Sequence, residues 1–167
     1  MAGNSGIGEA NASSGLDGFD RKIIRVLERD GRISVTDLAR QIGLSKSPTQ
    51  ARLKRLEATR VITGYRALID PIRIGRDHVA FVEVKLSDTR EAALAAFNEG
   101  VRGVPEIEEC HMIAGAFDYL LKVRTRDMRD YRRVLGEHIS ALPHVAHSST
   151  YVAMQAVKEN GAALAAI

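Results

Sequence analysis

Residues 34–60 read SVTDLARQIGLSKSPTQARLKRLEATR, and the order of caps, glycine and basic side chains in this stretch decides the first half of the fold. Ser34 opens a helical pattern, with Asp37 three positions on in a capping-box-like relation. Val35, Leu38, Ala39 and Ile42 then recur at i, i+3, i+4 and i+7, one face of a helix. Gly43 stops that helix after about two turns. Ser45 caps the next helix, and Pro48 is tolerated only in a first turn. The spacing predicts that this helix runs to about Arg60, with Thr49, Leu53, Leu56 and Arg60 along its inner side. Upstream, Phe19, Ile23, Val26 and Leu27 mark one face of another helix, capped by Asp17 and stopped by Gly31.

A short helix, a turn bent at glycine and a longer basic helix make a helix-turn-helix. The last helix must stand out from its scaffold to enter a major groove about 12 Å wide. Its outward face offers Ser47, Gln50, Ala51, Lys54 and Arg55. Gln50 can make paired bonds to adenine, and Lys54 and Arg55 can reach guanine or phosphate. Arg52 lies between the faces, placed for the sugar–phosphate backbone. Ser45 and Lys46 sit at the helix start, where backbone N–H groups favour a phosphate. Thr49 in the first turn joins these candidate contacts. From Arg40 to Arg66 there are seven basic residues and only Glu57 to oppose them, a local charge that favours a polyanion. A three-helix interaction module whose basic face is merely solvated would show the same periodicity. Val61–Ile69 then carries β-type residues around Gly64. It reads as an extended segment or wing that brings Arg66 near a phosphate, or equally as a linker strand.

The whole chain has 167 residues, 45% of them apolar and 27% charged, with formal net charge +3. That length and content suit one large domain or two small ones and argue against wholesale disorder. The excess charge lies in residues 16–70, at +5, against −1 from Pro71 onward. Residues 1–15 read as a flexible tail, 16–70 as the helix-turn-helix domain, 71–77 as a linker through Pro71 and Gly75, 78–158 as a second domain and 159–167 as a tail. No run of 18 uncharged apolar residues predicts a membrane span. The N-terminus lacks the pattern of a secretory signal. The single Cys110 excludes an internal disulfide and a multi-cysteine zinc site and fits a cytoplasmic setting.

The second domain alternates by type. His78–Leu86 is a strand with Ala80, Val82, Val84 and Leu86 on one face. Thr89–Val101 is a helix with Leu94, Phe97 and Val101 inward. Glu106–Ile113 and Asp118–Arg124 are strands around a Gly115-Ala116 turn. A helix capped by Asp127 carries Tyr131, Leu135, Ile139 and Leu142, and Val145–Val157 is a closing strand. That order is β-α-β-β-α-β, the ferredoxin-like plan, so the predicted class is α+β. Its open sheet face, with Phe81, Met112, Tyr119 and Met154 among the strand residues, predicts a homodimer built sheet against sheet. No GxSxG, Walker or HExxH pattern occurs, and no nucleophile accompanies His111 and Asp118, so no catalytic activity, metal or cofactor is expected. In the turn Ile113–Tyr119, Asp118 could accept from an ammonium while backbone donors hold a carboxylate, as an α-amino acid requires. A tight β-turn in which Asp118 bonds its own backbone reads equally well.

LDGFDRKIIRVLERDGRISVTDLARQIGLSKSPTQARLKRLEATRVITGY (16–65), EIEECHMIAGAFDYLLKVRTRDMRDYRRVLGEHISALPHV (106–145) and SSTYVAMQAVKE (148–159) together resemble the Lrp/AsnC, or feast/famine, family of bacterial transcription regulators. The resemblance covers about residues 16–158. It implies a winged helix-turn-helix joined to a ferredoxin-like effector domain. It also implies dimers that assemble into tetramers or octamers, and a free amino acid bound between dimers near the glycine turn. Carried over by residue, the recognition helix is Ser47–Leu56. The effector positions are His111, Gly115, Ala116, Phe117, Asp118 and Tyr119, with Tyr151, Val152 and Ala153 from the last strand. SKSPTQARLKRLE (45–57) is most similar to relatives that activate proline catabolism. Ala116 stands where leucine-responsive members carry an acid, so proline leads leucine as the expected effector. The expected partners are double-stranded DNA, the amino acid and further copies of the chain. The main rival is a nucleoid-like architectural protein with little sequence preference. An RNA-binding sheet lacks the aromatic signature and the charge.

Overall fold

The computed structural model describes residues 15–159 and 162–163. The tail expected over 1–15 lies, apart from Gly15, outside the described residues. The chain divides into two compact units, parted between Leu68 and Ile69.

The first unit holds α1 (Gly18–Leu27), α2 (Val35–Ile42) and α3 (Lys46–Ala58). Asp17 starts α1 by accepting the N–H groups of Phe19 at 2.8 Å and Asp20 at 3.0 Å, and Asp20 returns the bond by accepting Asp17 N–H at 3.0 Å. That is a complete capping box. Gly31 does not stop α1, which closes at Leu27 with Glu28 as its cap. The glycine makes room instead: a Cβ on Gly31 would meet the Tyr65 ring at 3.4 Å. Gly43 does end α2, at φ 80°, a left-handed conformation that costs a glycine nothing. Ile23, Leu38, Ile42 and Leu56 form the buried core of the unit.

Asp20 has a second task. It is 0% exposed, and its carboxylate also accepts Arg52 Nη1 at 2.9 Å and Arg55 Nη2 at 2.5 Å. The N3 partner in the capping box of α1 is thus also the anchor of α3. Burial raises its pKa, but the bonds from Arg55, the Asp17 backbone and Arg52 outweigh burial and leave it below the ordinary value.

α3 ends at Ala58, and Arg60 takes φ 59°, so the helix stops short of the expected Arg60. Between α3 and His78 no strand forms among the described residues. The stretch read as an extended segment or wing therefore has no ladder. It is fastened by Tyr65, whose hydroxyl donates to Glu57 at 2.9 Å.

The second unit runs β1 (His78–Leu86), α4 (Glu91–Arg102), β2 (Ile107–Met112), β3 (Tyr119–Thr125), α5 (Met128–Val134), a π-turn (Leu135–Ile139) and β4 (Val145–Val152). The sheet order is β2-β3-β1-β4 with every pair antiparallel, the split β-α-β plan. Ala80, Val82, Val84 and Leu86 of β1 bury against Phe97 and Val101 of α4 and Tyr131, Val134 and Ile139 of the second helix. Cys110 is half-buried, opposite Leu121 and packed on this core.

Three expectations are corrected here. Tyr119 is not on the open face: it is 2% exposed and its ring lies 4.4 Å from Phe97. Phe81 does lie on that face and Met154 is exposed, while Met112 is exposed opposite Tyr119. The fourth strand stops at Val152 rather than Val157. Val152 pairs with Ala80 and the Ala153 N–H with the Val79 carbonyl, close to where β1 begins, so the ladder runs out of partner. Nor is Glu159 a tail residue. β5 (Lys158–Glu159) pairs with β6 (Ala162–Ala163), and the Glu159 carboxylate accepts Lys122 Nζ and Arg124 Nη2, each at 2.5 Å. Lys122 and Arg124 are nearly buried on β3 and need a counter-charge there. Arg76, in the expected linker, exchanges side-chain-to-carbonyl bonds with Arg124 at 3.2 and 3.1 Å, which ties that end of the segment to β3.

Two consequences are measurable. Gly43→Ala should destabilise the first unit by about 1 kcal/mol or more, because alanine pays for the left-handed conformation; urea unfolding followed by circular dichroism reads this. Asp20, with its folded pKa depressed, contributes stability that is complete above the unfolded carboxyl value of about 3.9 and is lost as pH falls through the folded value. The melting temperature of the first unit should therefore fall from about pH 4 downward, and Asp20→Asn should flatten that dependence.

Candidate nucleic-acid interface and effector turn

α3 shows three surfaces. Its inner side carries Leu56 and Thr49, 1% and 0% exposed. The Thr49 hydroxyl donates to the Ser45 carbonyl at 2.9 Å. Thr49 is thereby corrected as a duplex contact: it packs inward, with its polar atom used inside the first turn.

The flank toward α1 carries both arginines. Arg52 Nη1 donates to Asp17 at 2.5 Å as well as to Asp20, and its guanidinium carbon lies 5.5 Å from the Phe19 ring centre. Arg55 leans to the same flank through Asp20. It is not the freely extended side chain expected on the outward face, although it remains 48% exposed. Asp17 is held below the usual carboxylate range, first by the Asp20 N–H and then by Arg52.

The third surface is open. Ser45, Lys46, Ser47, Pro48, Gln50, Ala51 and Lys54 are all exposed. Among the described residues, the side chains of Lys46, Gln50 and Lys54 meet no ion-pair or hydrogen-bond partner. Ser45 makes no side-chain cap bond. The one acid on α3, Glu57, is engaged by Tyr65. The open face therefore presents donors without a competing carboxylate, the chemistry that base edges and phosphates accept. Arg66 is exposed in the irregular segment.

In the second unit, the turn between β2 and β3 positions Asp118. Its Oδ2 accepts the Leu86 N–H at 2.8 Å, its Oδ1 accepts Lys85 Nζ at 3.0 Å, and its own N–H donates to the Val84 carbonyl at 3.0 Å. The Leu86 bond, ahead of the Lys85 contact, holds its pKa below the ordinary value despite burial. Neither reading of Asp118 describes this geometry. It is a clamp between β3 and the end of β1, not a vacant acceptor and not a local Asx turn. Tyr119 is closed off in the core.

The remaining effector candidates fall into two groups. His111, Gly115 and Ala116 are exposed and Phe117 is half-buried. His111 Nε2 lies 3.3 Å from Glu109. Among the described residues, the N–H groups of Ala114, Gly115, Ala116 and Phe117 donate to no other group. Tyr151 and Val152 are exposed on β4, with the Tyr151 hydroxyl 3.3 Å from Glu83, and Ala153 is tied to Val79. β2 and β4 are opposite edges of the sheet. Three strand spacings, roughly 14 Å, separate them. Tyr151 also pairs with Phe81, whereas Asp118 sits beside Val84 and Leu86. One copy of the chain does not bring the two groups together.

Sequence reading missed Asp20 as an arginine acceptor. Its signal was the Asp17-x-x-Asp20 spacing, which announces a capping box and says nothing of a distant helix.

Residues 16–57 match the AsnC-type helix-turn-helix domain, and residues 79–163 match the Lrp/AsnC ligand binding domain. The chain is 62% identical over 146 residues to a proline dehydrogenase transcriptional activator of Rhizobium radiobacter, covering 87% of this chain and 94% of that relative. The crystal structure of an AsnC family transcriptional regulator from Agrobacterium tumefaciens is similar at a TM-score of 0.82 and 32% identity, covering 86% of this chain and 94% of that one. A transcriptional regulator of Neisseria meningitidis in complex with L-Met is similar at 0.81 and 29%, covering 86% and 93%. With both halves matched in order and an exposed cationic third helix in the first, the chain belongs to the Lrp/AsnC family of transcriptional regulators.

Proposed function

We propose that this chain is a sequence-specific DNA-binding regulator that activates proline catabolism, with DNA affinity or assembly shifted by a free amino acid, L-proline, at the second unit. The open face of α3 carries this reading: Lys46, Ser47, Gln50 and Lys54 stand exposed with no acid drawing them away. A dimer would present two such helices to successive major grooves about one helical turn apart. The work is on chromosomal DNA in the cytoplasm. The name of the Rhizobium relative supports proline catabolism as the target. The L-Met complex of the Neisseria protein supports an amino acid as the ligand class.

Four successive unpaired N–H groups at Ala114–Phe117 suit a carboxylate. With Asp118 and Tyr119 occupied, the distance between His111–Phe117 and Tyr151–Ala153 favours a seat completed by another copy. The open sheet face, with Phe81 and Tyr151, is the surface for the sheet-to-sheet dimer. The amino acid would shift assembly only in so far as it binds one arrangement more tightly.

Gln50→Ala should relax base preference, costing roughly 1–3 kcal/mol on the preferred site if the contact is bidentate. Lys54→Ala or Lys46→Ala should instead weaken all sequences alike and reduce the salt slope by about 1. Selection from a randomised duplex pool, followed by anisotropy titrations, separates these outcomes. Unchanged affinity in all three variants would sink the assignment of α3. A thermal-shift screen of the amino acids with light scattering tests the effector: L-proline should raise the melting temperature and alter the particle size. No response to any amino acid would remove the ligand from the proposal.

A further inference from the structure

α3 carries four basic side chains, and the fold treats them in two ways. Lys46 and Lys54 have no partner among the described residues. Arg52 and Arg55 share one buried carboxylate, Asp20, which lies under the helix at 0% exposure and touches no solvent. A simple charge count makes that acid a liability, since it subtracts from the attraction of α3 for a polyanion. The geometry points the other way. A guanidinium has five N–H donors in a planar fork, and here only Arg52 Nη1 and Arg55 Nη2 are used by Asp17 and Asp20. The remaining donors of both side chains have no partner among the described residues. The Phe19 ring backs the Arg52 guanidinium. Both arginines border a shallow cleft lined by Asp17, Pro48, Ala51, Arg52 and Arg55, beside the open face of α3.

We infer that this cleft is the seat of a DNA backbone phosphate, with Arg52 and Arg55 as its two-pronged donors and Asp20 as the positioning residue that sets them before DNA arrives. The inference rests on the DNA-binding reading and deepens it. Two arginines are assigned to the phosphodiester, and base edges are left to Gln50. Two guanidiniums against the carboxylates of Asp17 and Asp20 leave the cluster formally neutral. Its contribution is therefore made at contact range, where the two forks meet the phosphate and displace its condensed counterion, not by long-range attraction. Asp17, half exposed at the mouth of the cleft, has its charge met by Arg52.

The test uses the full chain and a fluorescein-labelled mixed-sequence duplex about three helical turns long, titrated between about 50 and 200 mM salt. Asp20→Asn removes a negative charge yet should bind roughly tenfold more weakly, with the salt slope shallower by about 0.9, the value of one phosphate contact. Arg55→Gln should do the same, and the double variant should be no worse than either single one. A role confined to folding would reduce the active fraction and leave the slope of the folded protein unmoved. Equal or tighter binding by Asp20→Asn, or fully additive losses, overturns the inference: Asp20 would then sequester the arginines from DNA. If Asp20→Asn does not fold by circular dichroism, Arg52→Lys and Arg55→Lys decide. They keep the charge and lose the fork, and unchanged affinity in both overturns the proposal. Failure of the unaltered chain to bind the duplex at the lowest salt rejects DNA binding itself, a result distinct from all of these.

Discussion

A carboxylate taken fully out of water must be neutralised and hydrogen-bonded, or it costs several kcal/mol. In the first unit that constraint falls on Asp20. It is met by three donors: the Asp17 N–H from the start of α1, and the guanidiniums of Arg52 and Arg55 from α3. The same carboxyl therefore closes the capping box of one helix and orients another. Those bonds and the burial of Leu56 fix the azimuth of α3 together. Thr49 and Leu56 turn inward, and Lys46, Gln50 and Lys54 turn out. The buried acid thus works together with Leu53 and Leu56, which pack into the core, to fix which side of α3 faces out.

The second unit solves the same problem with different partners. Lys122 and Arg124 lie nearly buried on β3 and are neutralised by Glu108 from β2 and by Glu159 from the C-terminal hairpin. Asp118 satisfies the Leu86 N–H at the end of β1 while pairing with Lys85. These polar contacts explain why residues with the look of ligand contacts or of a loose tail are parts of the scaffold.

Most of the architecture was legible from pattern alone. Among the described residues, apolar spacing placed the helices α1 to α5 and the four strands of the main sheet. Ser34 and Gly43 marked the limits of α2, since capping is a local interaction between residues three or four apart. The split β-α-β order followed from alternation of the two periods. The errors concern ends and faces. The overlong β4 had suitable residues up to Val157 but no strand left beside it, and a ladder needs a partner. Tyr119 alternates correctly with its neighbours, yet only packing against Phe97 decides which face is core.

The order of elements, the two-unit plan and the cationic character of α3 were thus properties of the amino-acid sequence by itself, because each rests on contacts within one helix or one strand. Which basic residues are free and which are bound, whether Asp118 is vacant, and whether Glu159 is a tail or a counter-ion were decided only by tertiary structure. Those answers depend on partners 35 positions apart, as in Asp20 and Arg55 or Arg124 and Glu159. Folding brings such groups within hydrogen-bond reach at low dielectric, where a missing partner costs most.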